Sequence, residues 1–229
     1  MKMISKKPIL FSVPMVAAIL EGRKTMTRRI IKPQPYLSGL VDWQWVWDSK
    51  SNGQPFYFSG SIDNLQKVLI DPELNICPYG RIGDILWVRE EHYRFGHWVP
   101  VPDTKTATGK QKWMFIAETD EVLYSDNPPA DFRKGRHHKD PYTSAWHKRL
   151  ARFMPYKACR LFLKITDIRV ERLQDIPLSD VKKEGCTNTM IEPNIFTFKS
   201  LWESINGAGS WEANPWVWVV SFKRIDKPE

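Results

Sequence analysis

The stretch Gly22-Arg23-Lys24-Thr25-Met26-Thr27-Arg28-Arg29 gathers a lysine, hydroxyls and flanking arginines into one short turn. Side chains of these types suit an anion or a polarised carbonyl. Like-charge repulsion from Arg23, Arg28 and Arg29 lowers the pKa of Lys24 and brings it nearer to general-base duty at neutral pH. Thr27 is then a nucleophile or an oxyanion partner. A solvated basic turn after a helix is the plainer alternative that these residues alone leave open.

The elements around this turn set its position. Ser12 can cap a helix that opens near Pro14, buries Val16, Ile19 and Leu20 on one face, and stops at Gly22. The turn therefore begins at a helix C-terminus, whose partial negative charge gives an anion no help. Trp43, Trp45 and Trp47 alternate, Asn52-Gly53 interrupts, and Phe56 and Phe58 resume, which predicts a hairpin. Its tryptophan stripe is read as core, with a stacking platform for unpaired bases as the alternative.

Gly80 to Glu90 reads as a turn feeding a half-buried strand, and Trp113 to Glu118 as another. Thr119 to Lys157 is polar and proline-punctuated, which predicts a long surface excursion. From Arg160 the alternation returns through Leu163 and Ile165, and a further extended run follows through Ile168 and Val170. Ser179 is placed to cap a short helix that Gly185 ends, with Glu184 in its last turn. Phe198, Leu201, Trp202 and Ile205 make one helical stripe, and Trp216 to Ile225 alternates as a strand. The fold class is α+β, mostly antiparallel strands flanked by helices. No internal repeat or low-complexity segment appears.

The chain has 229 residues, 34 basic against 26 acidic, a formal charge of +8 and a pI near 9.3. From Met1 to Pro35 the only acid is Glu21, against Lys2, Lys6, Lys7, Arg23, Lys24, Arg28, Arg29 and Lys32. From Arg133 to Arg160 the only acid is Asp140, against Arg133, Lys134, Arg136, Lys139, Lys148, Arg149, Arg152, Lys157 and Arg160. Two basic blocks predict a polyanion partner, RNA or DNA, provided they converge on one face. Cys77, Cys159 and Cys186 are odd in number and widely spaced, so buried thiols are expected rather than a disulfide framework or zinc set. His137, His138 and His147 lack a recurrent ligand spacing, and neither a metal nor a cofactor is expected. No apolar run is long enough for a membrane span and the start lacks a signal-peptide pattern, so the expected location is the cytoplasm.

Pro8 to Phe11 before the basic turn, Gly80-Arg81-Ile82-Gly83-Asp84-Ile85-Leu86-Trp87-Val88-Arg89-Glu90, Val170-Glu171-Arg172-Leu173-Gln174-Asp175-Ile176 and Asn214-Pro215-Trp216-Val217-Trp218 occur in an order that resembles ASCH-domain proteins of the PUA-like superfamily. The likeness is to long, phage- or prophage-type members. It covers roughly Pro8 to Pro35, Cys77 to Glu90 and Phe153 to Ile225. The resemblance implies a small, mostly antiparallel barrel flanked by helices. It also implies one ASCH domain over 1–229, elaborated by a tryptophan-rich hairpin insertion at 36–76 and a polar basic insertion at 92–158.

Small bacterial ASCH enzymes that deacetylate acetylcytidine use a lysine and a threonine in a G-x-K-x-x-T-x-R turn, plus a later glutamate. The turn matches at Gly22, Lys24, Thr27 and Arg29, and the glutamate falls on Glu184, with Glu171 and Glu192 as rivals. The resemblance implies that Lys24 activates Thr27 or a water and that Glu184 passes a proton to the leaving amine. Arg28, beside Thr27, favours phosphate over a neutral nucleoside. The leading expectation is therefore a nucleic-acid- or nucleotide-binding protein, RNA-directed, using a Lys24/Thr27/Glu184 pocket. Its basic contacts would be Arg23, Arg28, Arg29, Arg133, Lys134, Arg136, Lys148, Arg149 and Arg152. The alternatives are an amidohydrolase acting on an acetylated, modified nucleoside, a ribonuclease drawing on His92, His97, His137, His138 or His147, and a phage anti-defence or assembly factor with a protein partner.

Overall fold

The structure, a computed structural model, describes residues 4–32, 34, 36–37, 43–48, 55–60, 77–136, 140–186 and 194–228, with 36–60 described by backbone alone. The chain forms two compact units. The first comprises Met1–Pro8, Ala18–Trp87 and Leu161–Glu229, and the second comprises Ile9–Ala17 and Val88–Arg160.

The first unit is organised on a sheet of β1 (Lys6–Leu10), β2 (Met26–Ile30), β6 (Ile85–Arg89), β12 (Phe162–Arg172) and β13 (Trp216–Ile225), in the order β1-β6-β12-β13-β2. β12 runs antiparallel to both β6 and β13, and β13 antiparallel to β2. The order is open, with no pairing between β1 and β2 among the described residues, so the α+β class stands while a closed ring of strands is not drawn. The alternation read from Trp216 to Ile225 is one strand with those bounds. It is buried on both faces over Trp216 to Val220, as its central place requires. The two extended runs expected after Arg160 are instead one eleven-residue strand with an irregularity between Ile165 and Asp167, which keeps both halves paired with β13.

Two helices cover one face of this sheet: α2 (Leu178–Lys183) and α3 (Ile195–Asn206). α3 carries the expected stripe, with Phe198 and Trp202 buried against Met26, Leu173, Val181, Val217 and Val219, while Ile205 is exposed. Burying each of those two rings contributes about 1.5–3 kcal/mol. Asn194 and Thr197 form a reciprocal capping box at its start. α2 corrects the sequence reading: Pro177 occupies its N-cap without any side-chain bond, and Ser179 lies inside the helix. α1 (Val13–Leu20) ends at Gly22, whose φ of +76° suits a left-handed residue. A separate three-stranded sheet, β3 (Tyr36–Leu37), β4 (Trp43–Asp48) and β5 (Pro55–Gly60), holds the tryptophan hairpin, with Trp45 opposite Phe58 and Trp47 opposite Phe56. Its Asn52-Gly53 turn lies outside the described residues.

The second unit contains β7 (His92–Lys105), β8 (Gln111–Ala117), β9 (Leu123–Tyr124), β10 (Arg133–Lys134) and β11 (Ala145–Arg149), in the order β10-β11-β7-β8, with β9 also on β7. The excursion expected over Thr119 to Lys157 is thus corrected, because three of its segments are strands joined to β7 or to one another. Arg160 anchors the unit: its guanidinium meets both oxygens of buried Glu90 at 3.0 Å and Asp126 at 2.8 Å, over the Tyr124 ring.

Candidate functional site

Strand alternation decides which residues of the basic turn can meet. In register, Arg28 of β2 stands beside Val219 of β13, which stands beside Arg169 of β12; Ile30, Val217 and Glu171 form the next row. These rows face α2, which supplies Asp180 and Lys183, with Glu184 as its C-terminal cap. Lys24 reaches the same place through an isolated antiparallel bridge to Glu184, next to a Thr25 N–H bond to the Lys183 carbonyl of 2.9 Å. Gly185 permits that approach. A Cβ there would lie 2.9 Å from that of Ala18 and 3.0 Å from that of Lys24, at a φ of +78°.

The result is a closed ion cluster. Lys24 Nζ donates to Glu184 Oε2 at 2.8 Å and to the Glu184 carbonyl at 2.9 Å. Arg28 Nη1 donates to Glu184 Oε1 at 3.2 Å, Nη2 to Asp180 Oδ2 at 2.9 Å, and Nε to Glu171 Oε1 at 3.0 Å. Arg169 completes the ring, its Nε on Glu171 Oε2 at 3.1 Å and its Nη2 on Asp180 Oδ2. Lys24, Arg28 and Glu184 are each under 5% exposed. Three buried or half-buried cations thus meet three carboxylates, and removing one member strands a charge at a cost of about 3–5 kcal/mol.

Burial lowers the pKa of Lys24, Glu184 pulls it back up through its charge and hydrogen bond, and Arg29 lowers it further. The direction agrees with the sequence expectation, but desolvation is the largest cause and arginine crowding a smaller one. At Asp180 burial works to raise the pKa, yet hydrogen bonds from Arg28 and Lys183 and the charges of Arg169 and Arg28 hold it below the ordinary carboxylate value. Chemically, the cluster can hold a proton between Lys24 and Glu184. It offers an incoming anion no cation that lacks a carboxylate.

Thr27 is buried on the opposite sheet face, in register with Val220, and no hydrogen bond joins its hydroxyl to Lys24 or Glu184 among the described residues. The structure therefore brings Lys24 and Glu184 together and leaves Thr27 out. Arg29 shares Thr27's face, opposite Trp218. Arg23 donates to Glu21 Oε2 at 2.6 Å and to the Gly185 carbonyl at 3.3 Å. Glu171, a rival acid in the sequence, is inside the cluster, and Glu192 lies outside the described residues. Sequence reasoning missed Asp180 and Arg169. The signal was available in the period-two spacing of Asp167, Arg169 and Glu171 on an otherwise apolar strand.

The remaining basic residues named from the sequence lie in the second unit. Arg133 pairs with Asp140 at 3.2 Å and Lys148 with Glu91 at 2.7 Å, while Lys134 is exposed. The Arg136 guanidinium lies 4.2 Å from the centre of the Trp113 ring. That of Arg149 lies 4.7 Å from Trp98 and 4.5 Å from Phe115, and Arg152 is 5.0 Å from Phe153. His97 pairs with Glu118, and His92 and His147 are buried. His137 and His138 lie outside the described residues. No group of three or more His, Cys, Asp or Glu side chains that could hold a metal occurs among the described residues. No helix among them is long and apolar enough to cross a membrane. No protein-family model, curated protein or solved structure matches the chain.

Proposed function

We propose that this chain is a nucleic-acid- or nucleotide-binding protein of the ASCH, PUA-like kind, directed at RNA. The observation that carries this reading is the arginine-on-aromatic arrangement of the second unit, with Arg136 over Trp113 and Arg149 over Trp98 and Phe115. Guanidinium groups lying over indole and phenyl rings offer charge to phosphates, beside π-surfaces to which bases stack. The formal charge of +8 favours encounter with a polyanion. The buried cluster around Lys24 and Glu184 is charge-balanced, and serves here as framework.

The test is equilibrium binding to single-stranded RNA, duplex RNA and DNA at several salt concentrations. Affinity for single-stranded RNA is expected to fall steeply with salt, and replacing Arg136 or Lys134 with alanine to lower the log–log slope by roughly one phosphate contact each. Salt-insensitive or absent binding would remove the proposal.

A second reading, deacetylation of acetylcytidine-type nucleosides, is favoured by the 2.8 Å contact between Lys24 and Glu184. With Thr27 on the other sheet face, the nucleophile in this reading is water. Lys24 takes its proton, the oxygen attacks the acyl carbon, the C–N bond breaks, and Glu184 returns a proton to the leaving amine. Incubation with acetylcytidine is expected to release acetate in the wild type and in Thr27→Val, and not in Glu184→Gln that retains its circular dichroism spectrum. Absence of acetate from the wild type rejects it.

A further inference from the structure

On the second unit's sheet, strand register gathers two arginines that form no ion pair among the described residues, although Asp120, paired with Lys157, feels the charge of Arg94. Arg94 of β7 stands opposite His147 of β11, and His92 opposite Arg149, so these side chains share one face. Trp98 continues that face on β7, opposite Phe115 of β8. The Arg149 guanidinium lies over both rings and 5.3 Å from Phe153. Among the described residues, neither Arg94 nor Arg149 enters an ion pair, and Arg149 makes no hydrogen bond. The carboxylates of the neighbouring strands are engaged elsewhere: Glu90 by Arg160, Glu91 by Lys148 and Glu118 by His97.

Two buried nitrogens on this face lack partners. Arg94 is 7% exposed and gives Nη2 to the Thr119 carbonyl at 2.8 Å, but its Nε has no acceptor. His147 is 1% exposed, and its Nε2 has no partner either. His147 Nδ1 lies 3.0 Å from the Gly135 carbonyl, which can only accept, and 3.3 Å from the Trp98 indole; the shorter contact puts the ring proton on Nδ1 and leaves Nε2 a lone pair. Arg94 Nε is thus a buried donor without an acceptor, costing about 1–3 kcal/mol while it stays so. The local field agrees: burial, then the charges of Arg149, Arg94 and Arg89, lower the pKa of His92.

We propose that Arg94 and Arg149 form a phosphate-binding site on the second unit, floored by Trp98 and Phe115. A phosphate group supplies several strong acceptor oxygens and the negative charge that these arginines lack, and a guanidinium fork can give N–H bonds to two of its oxygens at once. The inference rests on the RNA reading only for the source of the phosphate. The cation set itself stands without it.

The experiment is thermal unfolding of the full chain in inorganic phosphate against chloride at matched ionic strength, followed by calorimetric titration. Phosphate is expected to raise Tm saturably in the wild type and in Lys110→Ala, an exposed lysine beside β8. The phosphate Kd is expected to weaken by about tenfold or more in Arg149→Gln, with partial retention in Arg149→Lys, which keeps the charge but loses the planar fork. Circular dichroism certifies folding; should Arg149→Gln fail it, Arg149→Lys carries the comparison. No response beyond chloride, or an equal one in wild type and folded variants, overturns the site.

Parallel titrations with a nucleoside 5′-monophosphate and with single-stranded RNA separate the sources. RNA binding lost together with phosphate binding in Arg149→Gln makes the ligand a backbone diester. Phosphate and monophosphate binding without RNA binding keeps the site, assigns it a free monoester and removes the RNA reading. RNA binding without any phosphate response overturns this site alone.

Discussion

His92 shows how the arginine-rich face of the second unit reaches into stability. Buried at 1% exposure, it bonds through Nδ1 to the Glu90 carbonyl, and burial followed by the charges of Arg149, Arg94 and Arg89 brings its pKa to about 4 from an ordinary 6.5. Between those values the unfolded chain binds more protons than the folded one, so stability rises with pH through that window and is lost as acid is added. Integrated from 6.5 down to about 4, the effect is at most about 3.4 kcal/mol. Urea unfolding of wild type and His92→Gln at pH 4.5 and pH 7 checks this. The variant is expected to lose less stability between the two pH values, and equal losses would show that His92 does not carry the effect. At this same scale Lys24 and Glu184 were legible from the basic turn and the Gly185 stop. Thr27 was misjudged because proximity in sequence says nothing about which face of a strand a side chain takes: Arg28 points to α2, so its neighbour must point away.

Among the elements, the end of α2 carries the tightest local constraint. Gly185 is left-handed and close-packed on Ala18 and Lys24, so Gly185→Ala combines backbone strain with a clash against two side chains. A loss of about 2–4 kcal/mol is expected, read as a lower denaturation midpoint with an unchanged m-value. A shift within 0.5 kcal/mol would show that Lys24 and α2 yield at little cost. Elements with clean periodicity, β13 and α3, were readable within a residue or two. β7 was not, because Arg94, Gly96, Pro100 and Pro102 break its alternation. Its continuity comes from partners: β11 and β9 pair along its first half and β8 along its second. Gly96 itself is a close approach, since a Cβ there would sit 1.9 Å from the Ile116 carbonyl oxygen. The α2 cap was misread because Ser179 has a capping side chain, while the helix is capped two residues earlier, at Pro177.

Over the whole molecule, the two basic blocks of the sequence have different fates. In the first, Lys24 and Arg28 are spent on Glu184, Asp180 and Glu171, so charge that reads as a polyanion signal is internal structure. In the second, Arg160 is likewise spent on Glu90 and Asp126, whereas Arg149 rests on aromatic rings without an acid. Composition could not divide these groups, because the carboxylates that neutralise the first block come from Glu171, Asp180 and Glu184, far along the chain.

The strand order carries a consequence for how this protein is made. β2 leaves the ribosome about 190 residues before β13, its neighbour in the sheet, where Thr27 is set against Val220. Until Trp216 to Ile225 has been translated, β2 has no neighbour to pair with and β12 lacks its principal one. The nascent polypeptide must therefore carry this part of its future core open to solvent until β13 has been made, a period when holdase chaperones would find it.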